Sequence, residues 1–318
     1  MTGGGPQVSI IQLQNGAAAP RSEIRILSMS LAKSAPAEIR IRPNQNWLGL
    51  DWQSLLHYRD LLYLLVRRDF VSKYKQTVLG PLWFIINPLI TTVVFTLVFG
   101  RMIGITTDGI NPILFYLCGL VPWTYFSNVL NSTSHTFTGN AHLFGKVYFP
   151  RVIVPFALSI SHLFTLAIQL CTFLAVYVIY KLTGRADHLA PGPLLALVPV
   201  FILNMGLLGV GTGMLFSGLT AKYRDFHHLS GFVVQLWMYA TPVIYPLSKL
   251  LEKLPADWQW LALLNPMTLV TDGFRLALMG AGTFAPVGYA ISFGVSLLVF
   301  LAGLFLFQRT ARTVVDTV

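Results

Sequence analysis

Six long stretches of this chain contain no Asp, Glu, Lys or Arg, and this feature constrains the fold more than any other. The uncharged stretches cover residues 76–100, 109–145, 152–180, 188–221, 226–248 and 276–308. Each can hold the ~20 apolar residues that cross a bilayer as a helix. The chain is only 11% charged, whereas soluble domains carry about 25% charged residues. The pattern predicts an all-α polytopic membrane protein.

Six transmembrane helices are predicted from these stretches, and two of them include a flanking arginine, Arg101 or Arg151, as an end residue. The predicted spans cover residues 82–101, 112–132, 151–180, 193–217, 229–247 and 287–308. A seventh uncharged stretch, 258–271, has only 14 residues. Because a helix of that length is too short to cross the hydrocarbon core, this stretch is predicted to be a re-entrant or interfacial segment before the last span.

The distribution of positive charge predicts the orientation. An even number of spans places both termini on one side of the membrane. With the N-terminus inside, 16 of the 22 Lys and Arg residues fall in inner segments and six fall in outer segments. Inner loops carry the excess of Lys and Arg, so both termini are predicted to be cytoplasmic. No nucleic-acid-binding motif accompanies the basic charge.

Four regions are predicted along the chain. Residues 1–45 are a flexible tail, 46–80 hold an amphipathic interfacial helix, 81–310 form the six-helix domain, and 311–318 are a cytoplasmic C-terminus. Packing on a soluble domain is the alternative for the amphipathic helix. Gly80 and Pro81 predict the turn from this helix into the first span. Residues predicted to meet lipid headgroups, with basic side chains snorkelling outward, are Trp52, Arg59, Arg67, Arg68, Lys73 and Lys75.

No constellation in the sequence supports intrinsic catalysis. The chain has no G-x-x-x-x-G-K-[ST] phosphate-binding loop, so it is not expected to hydrolyse ATP itself. The run "RDFHH" (224–228) lacks a further partner at metal-ligand spacing. A membrane enzyme with its centre at this run remains an alternative. We therefore predict no metal and no cofactor in this chain.

Apart from Arg101 and Arg151 at span ends, the six predicted spans contain no Asp, Glu, Lys or Arg, which argues against the proton and ion relays of secondary transporters. A path for a neutral, hydroxyl-rich cargo could instead be lined by aromatic side chains. Aromatic belts at the membrane boundary are the alternative. The candidates for channel lining and substrate contact are Trp83, Phe84, Trp123, Tyr125, Phe126, Trp237, Tyr239 and Tyr245.

Four glycines in the fourth predicted span fall close together, at positions 206, 209, 211 and 213. Small residues at such spacing let membrane helices approach closely. This face is predicted to be a packing surface.

Four segments in order resemble one transporter family. The run "RRDFVSKYKQTVLGPLWFIINPLITTVVFTLVFGRM" is similar to the first segment of permease subunits of type-2 ABC exporters that move O-antigen, capsular polysaccharide or teichoic acid. The segments "FGKVYFPRVIVP", "AKYRDF" and "LLNPMTLVTDGFR" resemble later signatures of that family. The resemblance covers about residues 48–310.

The resemblance implies a half-transporter. Two copies would form a channel, and two separate ATP-binding subunits would supply ATP and Mg²⁺ from the cytoplasmic side. The stretch 258–271 would match small extracytoplasmic helices that control the exit. The cargo would be a lipid-linked polysaccharide, with a drug or small lipid as the alternative.

The resemblance also assigns the ATPase-coupling residues to two cytoplasmic loops, although the basic residues among them could serve only as topology determinants. They are His142, Leu143, Phe144, Lys146, Tyr148, Arg151, Lys222, Tyr223, Arg224 and Asp225.

Overall fold

The computed structural model describes residues 58–75, 79–144, 149–223, 225–283 and 285–313, and within them the regular elements are all helices. The predicted tail 1–45, Trp52 and residues 314–318 lie outside the described residues. The α-helices are α1 Arg59–Tyr74, α2 Trp83–Phe95, α3 Pro112–Ser134, α4 Thr136–Gly139, α5 Ala141–Phe144, α6 Ile153–Leu182, α7 Val198–Lys222, α8 Phe226–Tyr239, α9 Leu247–Lys253, α10 Gln259–Leu264, α11 Pro266–Met279 and α12 Pro286–Thr313. A π-helix, Thr96–Met102, extends α2, and 3₁₀ turns cover Gly80–Leu82, Pro193–Leu197 and Ala256–Trp258.

Five helices of the described chain are long and apolar enough to cross a bilayer. They confirm the first four predicted spans and the last one. Their bounds are Gly80–Met102, Pro112–Ser134, Ile153–Leu182, Leu194–Lys222 and Pro286–Arg312.

The predicted span 229–247 is shorter in the structure. Helix α8 has 14 residues and ends at Tyr239, which gives it a length of about 21 Å against the ~30 Å of the hydrocarbon core. The backbone then turns, Pro246 is extended, and α9 begins at Leu247. The uncharged stretch therefore holds a short helix and a turn instead of one continuous span.

Helices α3 and α7 run parallel in close contact. A Cβ atom built at Gly209 would lie 3.1 Å from Val129 Cβ, and one at Gly213 would lie 2.5 Å from Thr133 Cβ. Moving from Gly209 to Gly213 on α7 therefore corresponds to moving from Val129 to Thr133 on α3, so the two chains run in the same direction. The glycines allow the two helices to pack at this distance, which confirms the predicted packing face.

Helices α7 and α12 also run parallel. A Cβ at Gly211 would lie 2.6 Å from Phe300 Cα, and one at Gly218 would lie 2.9 Å from Thr310 Oγ1. Helices α3, α7 and α12 therefore all begin at one end of the bundle, called here the α11 end, and finish at the other, called the α5 end. The segment between α7 and α12 must carry the chain back to the α11 end, and α8 makes this return.

Burial differs strongly among the long helices. In the most apolar 18-residue stretch of α3, 78% of the residues are buried. In the corresponding stretch of the helix Gly80–Met102, 17% are buried. Helix α3 is thus the centre of the core, packed between α6 and α7. The first span lies at the edge and leaves most of its apolar surface uncovered within this chain.

The turn into the first span is built as predicted. Gly80 has a φ of 48°, a left-handed conformation that glycine adopts without steric cost. Pro81 occupies the first turn of the 3₁₀ segment, where its missing N–H leaves no hydrogen bond unmade. Trp83 then begins α2.

Helix α1 packs on the beginning of α6. Leu65 and Val66 are buried against Phe149, Ile153 and Val154. Tyr63, three residues before Val66, is 65% exposed. The buried face of α1 is therefore centred on Leu65. The beginning of α6 contacts only this side of α1 and leaves the other side exposed.

Replacing Leu65 with alanine is expected to weaken the docking of α1 on α6 by about 2 kcal/mol or more, because the substitution leaves a cavity in a packed contact. Hydrogen exchange of residues 59–74 should accelerate in the reconstituted protein. Leu64, which is 56% exposed, provides the matched control. Equal exchange in Leu64→Ala and Leu65→Ala would contradict this packing.

Candidate functional site

The first predicted coupling segment lies at the α5 end, between the beginning of α6 and the end of α12. Phe144 is half-buried and its ring centroid lies 5.8 Å from that of Phe149 and 6.0 Å from that of Phe137. The Phe137 ring in turn stacks on Phe307 of α12 at 4.7 Å. An aromatic cluster thus joins the segment to the beginning of α6 and the final turns of α12.

Arg151 adds a polar connection to the same place. Its guanidinium lies 5.4 Å from the centroid of the Phe144 ring and donates a hydrogen bond to the Ala311 carbonyl. His142 is exposed and Leu143 is half-buried. Lys146 and Tyr148 lie outside the described residues. The segment is therefore tied to α12 by Arg151 and leaves His142 accessible to a partner.

Helix α1 is tied to the coupling segment as well. Arg68 donates from Nη2 to Asn140 Oδ1 at 3.2 Å and to Asp69 Oδ1 at 2.8 Å. Arg59, Arg67 and Lys75 are exposed. Arg59 lies 3.8 Å from Asp60 Oδ1, the charges of Arg67 and Lys75 can meet anionic headgroups, and Arg68 has a role within the protein. The predicted interfacial residue Lys73 lies in the last turn of α1.

The second predicted coupling loop lies at the same end. Thr220 Oγ1 near the end of α7 donates to the Ser134 carbonyl at 2.5 Å, so both loops follow directly from adjoining helix ends. Lys222, Tyr223 and Asp225 are exposed, and the Lys222 ammonium lies 5.0 Å from the Tyr223 ring centroid. Arg224 lies outside the described residues.

The aromatic residues predicted to line the path form two groups, one buried in the bundle and one at its surface. Trp123, Tyr125 and Phe126 are buried. Phe126 contacts Trp123 at 5.4 Å and Trp237 at 5.0 Å between ring centroids, and the Tyr125 hydroxyl is hydrogen-bonded to Ser159 at 3.1 Å. These contacts give the three buried residues a packing role.

The remaining aromatic candidates reach the surface of the bundle. Trp83 and Tyr239 are exposed, and Phe84, Trp237 and Tyr245 are half-buried. Tyr245 donates its hydroxyl proton to the Tyr239 carbonyl at 2.7 Å. The structure brings Trp237, Tyr239 and Tyr245 together near the end of α8.

An apolar cleft of about 330 Å³ opens on the side of the bundle between α6 and α7. Its polar side chains are Tyr125 and Ser159, whose hydroxyls bond each other. A sugar site needs several convergent polar groups, so this cleft does not fit a carbohydrate. Within the described residues, no group of three or more His, Cys, Asp and Glu side chains could hold a metal ion.

Sequence reasoning missed a cluster around α11. Arg275 is 1% exposed and donates to the carbonyls of Pro242 at 2.6 Å and Val243 at 2.9 Å. Its guanidinium also lies 3.7 Å from the Phe115 ring centroid, and a Cβ at Gly119 would lie 2.6 Å from its Nη2. The sequence analysis included Arg275 in a segment that resembles a family signature but assigned it no contact.

Asn265, just before α11, makes a second set of bonds to the end of α8. Its Oδ1 accepts from Trp237 Nε1 at 3.0 Å and from the Met267 N–H at 3.1 Å. Its Nδ2 donates to Thr241 Oγ1 at 3.0 Å and to the Ala240 carbonyl at 3.3 Å. An Asn-Pro pair at a helix start was the available sequence signal, and it indicated a cap but not the contact with α8.

Helices α9 and α10 differ from α11 in their surroundings. Each buries a single residue, Leu247 and Ala262 respectively. On α9 the Lys249 ammonium donates to Glu252 at 2.5 Å, and this hydrogen bond lowers the pKa of the Glu252 carboxyl. Trp258 and Trp260 are exposed. These two helices form the outer surface of the α11 end.

Comparison with known proteins identifies the family. The ABC-2 type transporter model matches residues 60–279. The chain is 26% identical over 223 residues to the O-antigen export system permease protein RfbA of Myxococcus xanthus, covering 70% of this chain and 82% of that protein. It is 24% identical over 251 residues to RfbA of Klebsiella pneumoniae, covering 79% and 92%.

A capsule exporter is also similar. The identity to the capsule polysaccharide export inner-membrane protein CtrC of Neisseria meningitidis serogroup B is 22% over 254 residues, covering 78% of this chain and 91% of that protein. The family match spans well over half of the sequence and includes α1 to α11. This chain therefore belongs to the ABC-2 type transporter family, whose permease subunits lack an ATPase site of their own.

Proposed function

We propose that this protein is the membrane-spanning half of an ATP-driven exporter of a lipid-linked polysaccharide, with O-antigen as the first choice and capsule or teichoic acid next. The observation that carries the proposal is the alignment to two O-antigen export permeases over 82% and 92% of their lengths. The absence of Asp, Glu, Lys and Arg from the interior of the predicted spans, with Arg101 and Arg151 only at span ends, also fits a cargo that needs no ion relay.

In this proposal the α5 end faces the cytoplasm and both termini lie on that side of a bacterial inner membrane. The excess of Lys and Arg in the corresponding segments supports the orientation. The two loops with exposed His142, Lys222, Tyr223 and Asp225 then lie together on the cytoplasmic surface. Two separate ATP-binding subunits would dock there.

The geometry suggests how the ATPase motion enters the membrane domain. A partner that moves the 141–152 segment also moves the Phe144 ring and Arg151. These side chains contact α6 and α12, while Arg68 extends the connection to α1. Short segments packed in this way transmit rigid-body motion. Phe144, Arg151 and Arg68 are thus proposed to act as one packed unit.

A second copy of the chain would complete the path. Helix α2 exposes Ile90 and Val93, and α8 exposes Phe232, Leu236 and Tyr239. A homodimer that joined these faces could place Tyr239 and Trp83 along a shared channel, where aromatic faces stack on sugars. The lipid anchor would remain in the bilayer beside α1 and α2.

Deleting the gene is expected to remove the surface polysaccharide and to accumulate its lipid-linked precursor inside the cell. Extraction and mass analysis of lipid-linked glycans would measure both, and the precursor would identify sugar and anchor together. Complementation with the intact gene is the control. Normal surface glycan without precursor would contradict the proposal and favour a drug or small lipid as cargo.

A further inference from the structure

The first span and α8 each carry a primary amide on an exposed surface. Asn87 lies on α2 and Gln235 lies on α8, and both side chains are exposed. Within the described residues neither amide forms a hydrogen bond. Hydrocarbon offers neither a donor nor an acceptor, so an amide that faced lipid alone would carry an uncompensated desolvation cost. Each amide therefore needs a polar partner that the described part of this chain does not supply.

The depth of Asn87 follows from the contact between the first span and α3. A Cβ at Gly100 would lie 3.7 Å from Pro112 Cβ, at the beginning of α3. Asn87 lies 13 residues before Gly100 in the same helical span, which corresponds to about 20 Å toward the α5 end. The amide is thus well inside the span and not at its boundary.

The depth of Gln235 follows from the contact between α8 and α3. The ring centroid of Trp237 lies 5.0 Å from that of Phe126. Phe126 lies 14 residues after Pro112 on α3, about 21 Å toward the α5 end, and Gln235 lies a further ~3 Å in that direction. Gln235 and Asn87 therefore lie within about one helical turn of the same depth.

The face of α2 that contains Asn87 has the pattern of a helix–helix contact. Its exposed residues follow one another at spacings of four, three and four residues, and they are Trp83, Asn87, Ile90 and Val94. This is the period of two helices packed side by side, in which a single Asn specifies the register and the number of helices. A sugar site would need several convergent polar groups. The face therefore fits a protein helix.

The face of α8 that contains Gln235 also fits a neighbouring helix. Phe232 and Tyr239, three residues before and four residues after Gln235, are both exposed. Gly231 lies one turn before Gln235 and is exposed, and nothing within 4 Å would meet a Cβ there. The packing of this chain on itself thus does not require a glycine at 231. A small residue beside a polar one is the arrangement that brings membrane helices together.

The directions of the two helices identify the partner as a second copy of this chain. Both α2 and α8 run from the α5 end to the α11 end. A two-fold axis along the membrane normal preserves direction and depth, so α2 of one copy lies parallel to α8 of the other with the two amides level. In such a dimer every contact occurs twice. Each amide offers a donor and an acceptor, so one pair can form two hydrogen bonds.

We propose that the Asn87 amide of one copy pairs with the Gln235 amide of the second copy, and that this pair sets the register of the dimer. Asn87 Nδ2 donates to Gln235 Oε1, and Gln235 Nε2 donates to Asn87 Oδ1. The inference rests on the homodimer of the proposed function and adds to it the two side chains that select the contact.

Cross-linking between two differently tagged copies tests the pairing. One copy carries Asn87→Cys and the other carries Gln235→Cys. Both carry Cys171→Ser because Cys171 is exposed, and they retain Cys118 because it is buried. The copies are expressed together, and the membranes are treated with a short bifunctional thiol reagent. A cross-linked dimer that carries both tags is the expected product.

Leu298 supplies the matched control for cross-linking. It lies on α12, is 67% exposed, and lies close to the level of Gly211, which α12 contacts at Phe300. Leu298→Cys should therefore not cross-link to Asn87→Cys, although the depth is similar. A cross-link between two Asn87→Cys copies, equal yields with Leu298→Cys, or no cross-link between the two amide positions would overturn the pairing.

Leucine variants test the hydrogen bonds themselves. Removing one amide leaves the other unpaired, whereas replacing both with apolar groups removes the unmet demand. Asn87→Leu and Gln235→Leu should each raise the dissociation constant of the dimer about tenfold, since two pairs are lost and each contributes modestly in a membrane. The double variant should return to within about twofold of the native value. Energy transfer between labelled copies, measured as the protein is diluted into lipid vesicles, reports all four constants.

The outcomes separate this inference from the proposed function. Single variants with the native dissociation constant, or a double variant weaker than either single one, would refute the amide pair. Native dimers whose single variants lose only export would assign the amides to the glycan path and would likewise refute it. Neither measurement needs an ATP-binding subunit or a glycan. A paired dimer that exports no polysaccharide would therefore contradict the proposed function alone.

Discussion

Replacing Gly303 with valine is expected to prevent assembly of the membrane domain. A Cβ at this position would overlap the Gly211 carbonyl of α7, and one at Gly211 would lie 2.6 Å from Phe300 Cα. Both neighbours are backbone atoms, which cannot move aside as a flexible side chain can. The cost therefore reaches or exceeds the upper end of the ~1–3 kcal/mol that overpacking usually costs. The variant should be degraded in cells, and its yield of monodisperse protein in detergent should fall at least tenfold.

The same helix supplies the control for this experiment. Gly294 lies on α12, and nothing within 4 Å would meet a Cβ there. Gly294→Val should accumulate like the native chain, since both substitutions place the same residue in the same helix. Comparable yields of Gly294→Val and Gly303→Val would show that α7 and α12 do not cross at these glycines.

Replacing Arg151 with methionine is expected to lower export about tenfold while leaving the ATP-binding subunit bound. Methionine keeps an apolar stem against Phe144 but removes the charged hydrogen bond to the Ala311 carbonyl. Hydrogen bonds from charged groups contribute about 1.5–3 kcal/mol, and a tenfold effect corresponds to ~1.4 kcal/mol. ATP hydrolysis and glycan export measured in the same proteoliposomes should therefore become uncoupled.

Lys181 offers a control at the other end of α6. Its ammonium also lies over an aromatic ring, 5.9 Å from the Tyr177 centroid, and also donates to a carbonyl, that of Leu189 at 3.3 Å. Lys181→Met removes the same kind of interaction far from the coupling segment and should leave coupling intact. If both variants lose export equally, the effect of Arg151 would be general destabilisation.

The five long spans could be predicted because bilayer thickness imposes a length and an apolar composition that the sequence displays directly. The short α8 could not be predicted in this way. Residues 226–248 contain no charge to mark an end at Tyr239. The break depends on Asn265 and Arg275, which lie more than 20 residues further along the chain and bind the turn after α8.

The candidate site also contains features that the sequence predicted and features that it did not. Local sequence and family resemblance indicated the two loops that the structure places at the α5 end. Neither indicated that Arg68 reaches Asn140, 72 residues away, or that Arg151 reaches Ala311, 160 residues away. Contacts at such separations depend on the packing of helices, which a single sequence does not display. Residue-level roles in coupling and in the path stay predictions.

The parallel contact of α7 with α12 has a consequence for biosynthesis. Helix α7 buries one glycine face against α3, which is already made when α7 emerges from the ribosome, but its other glycine face waits for residues 300–310. Chains grow at about 5–20 residues per second, so the second face stays uncovered for several seconds while ~80 further residues are made. A nascent chain that stops before α12 presents an open backbone groove inside the membrane. Packing of α12 thus closes this groove, which distinguishes a chain that contains α12 from one that stops before it.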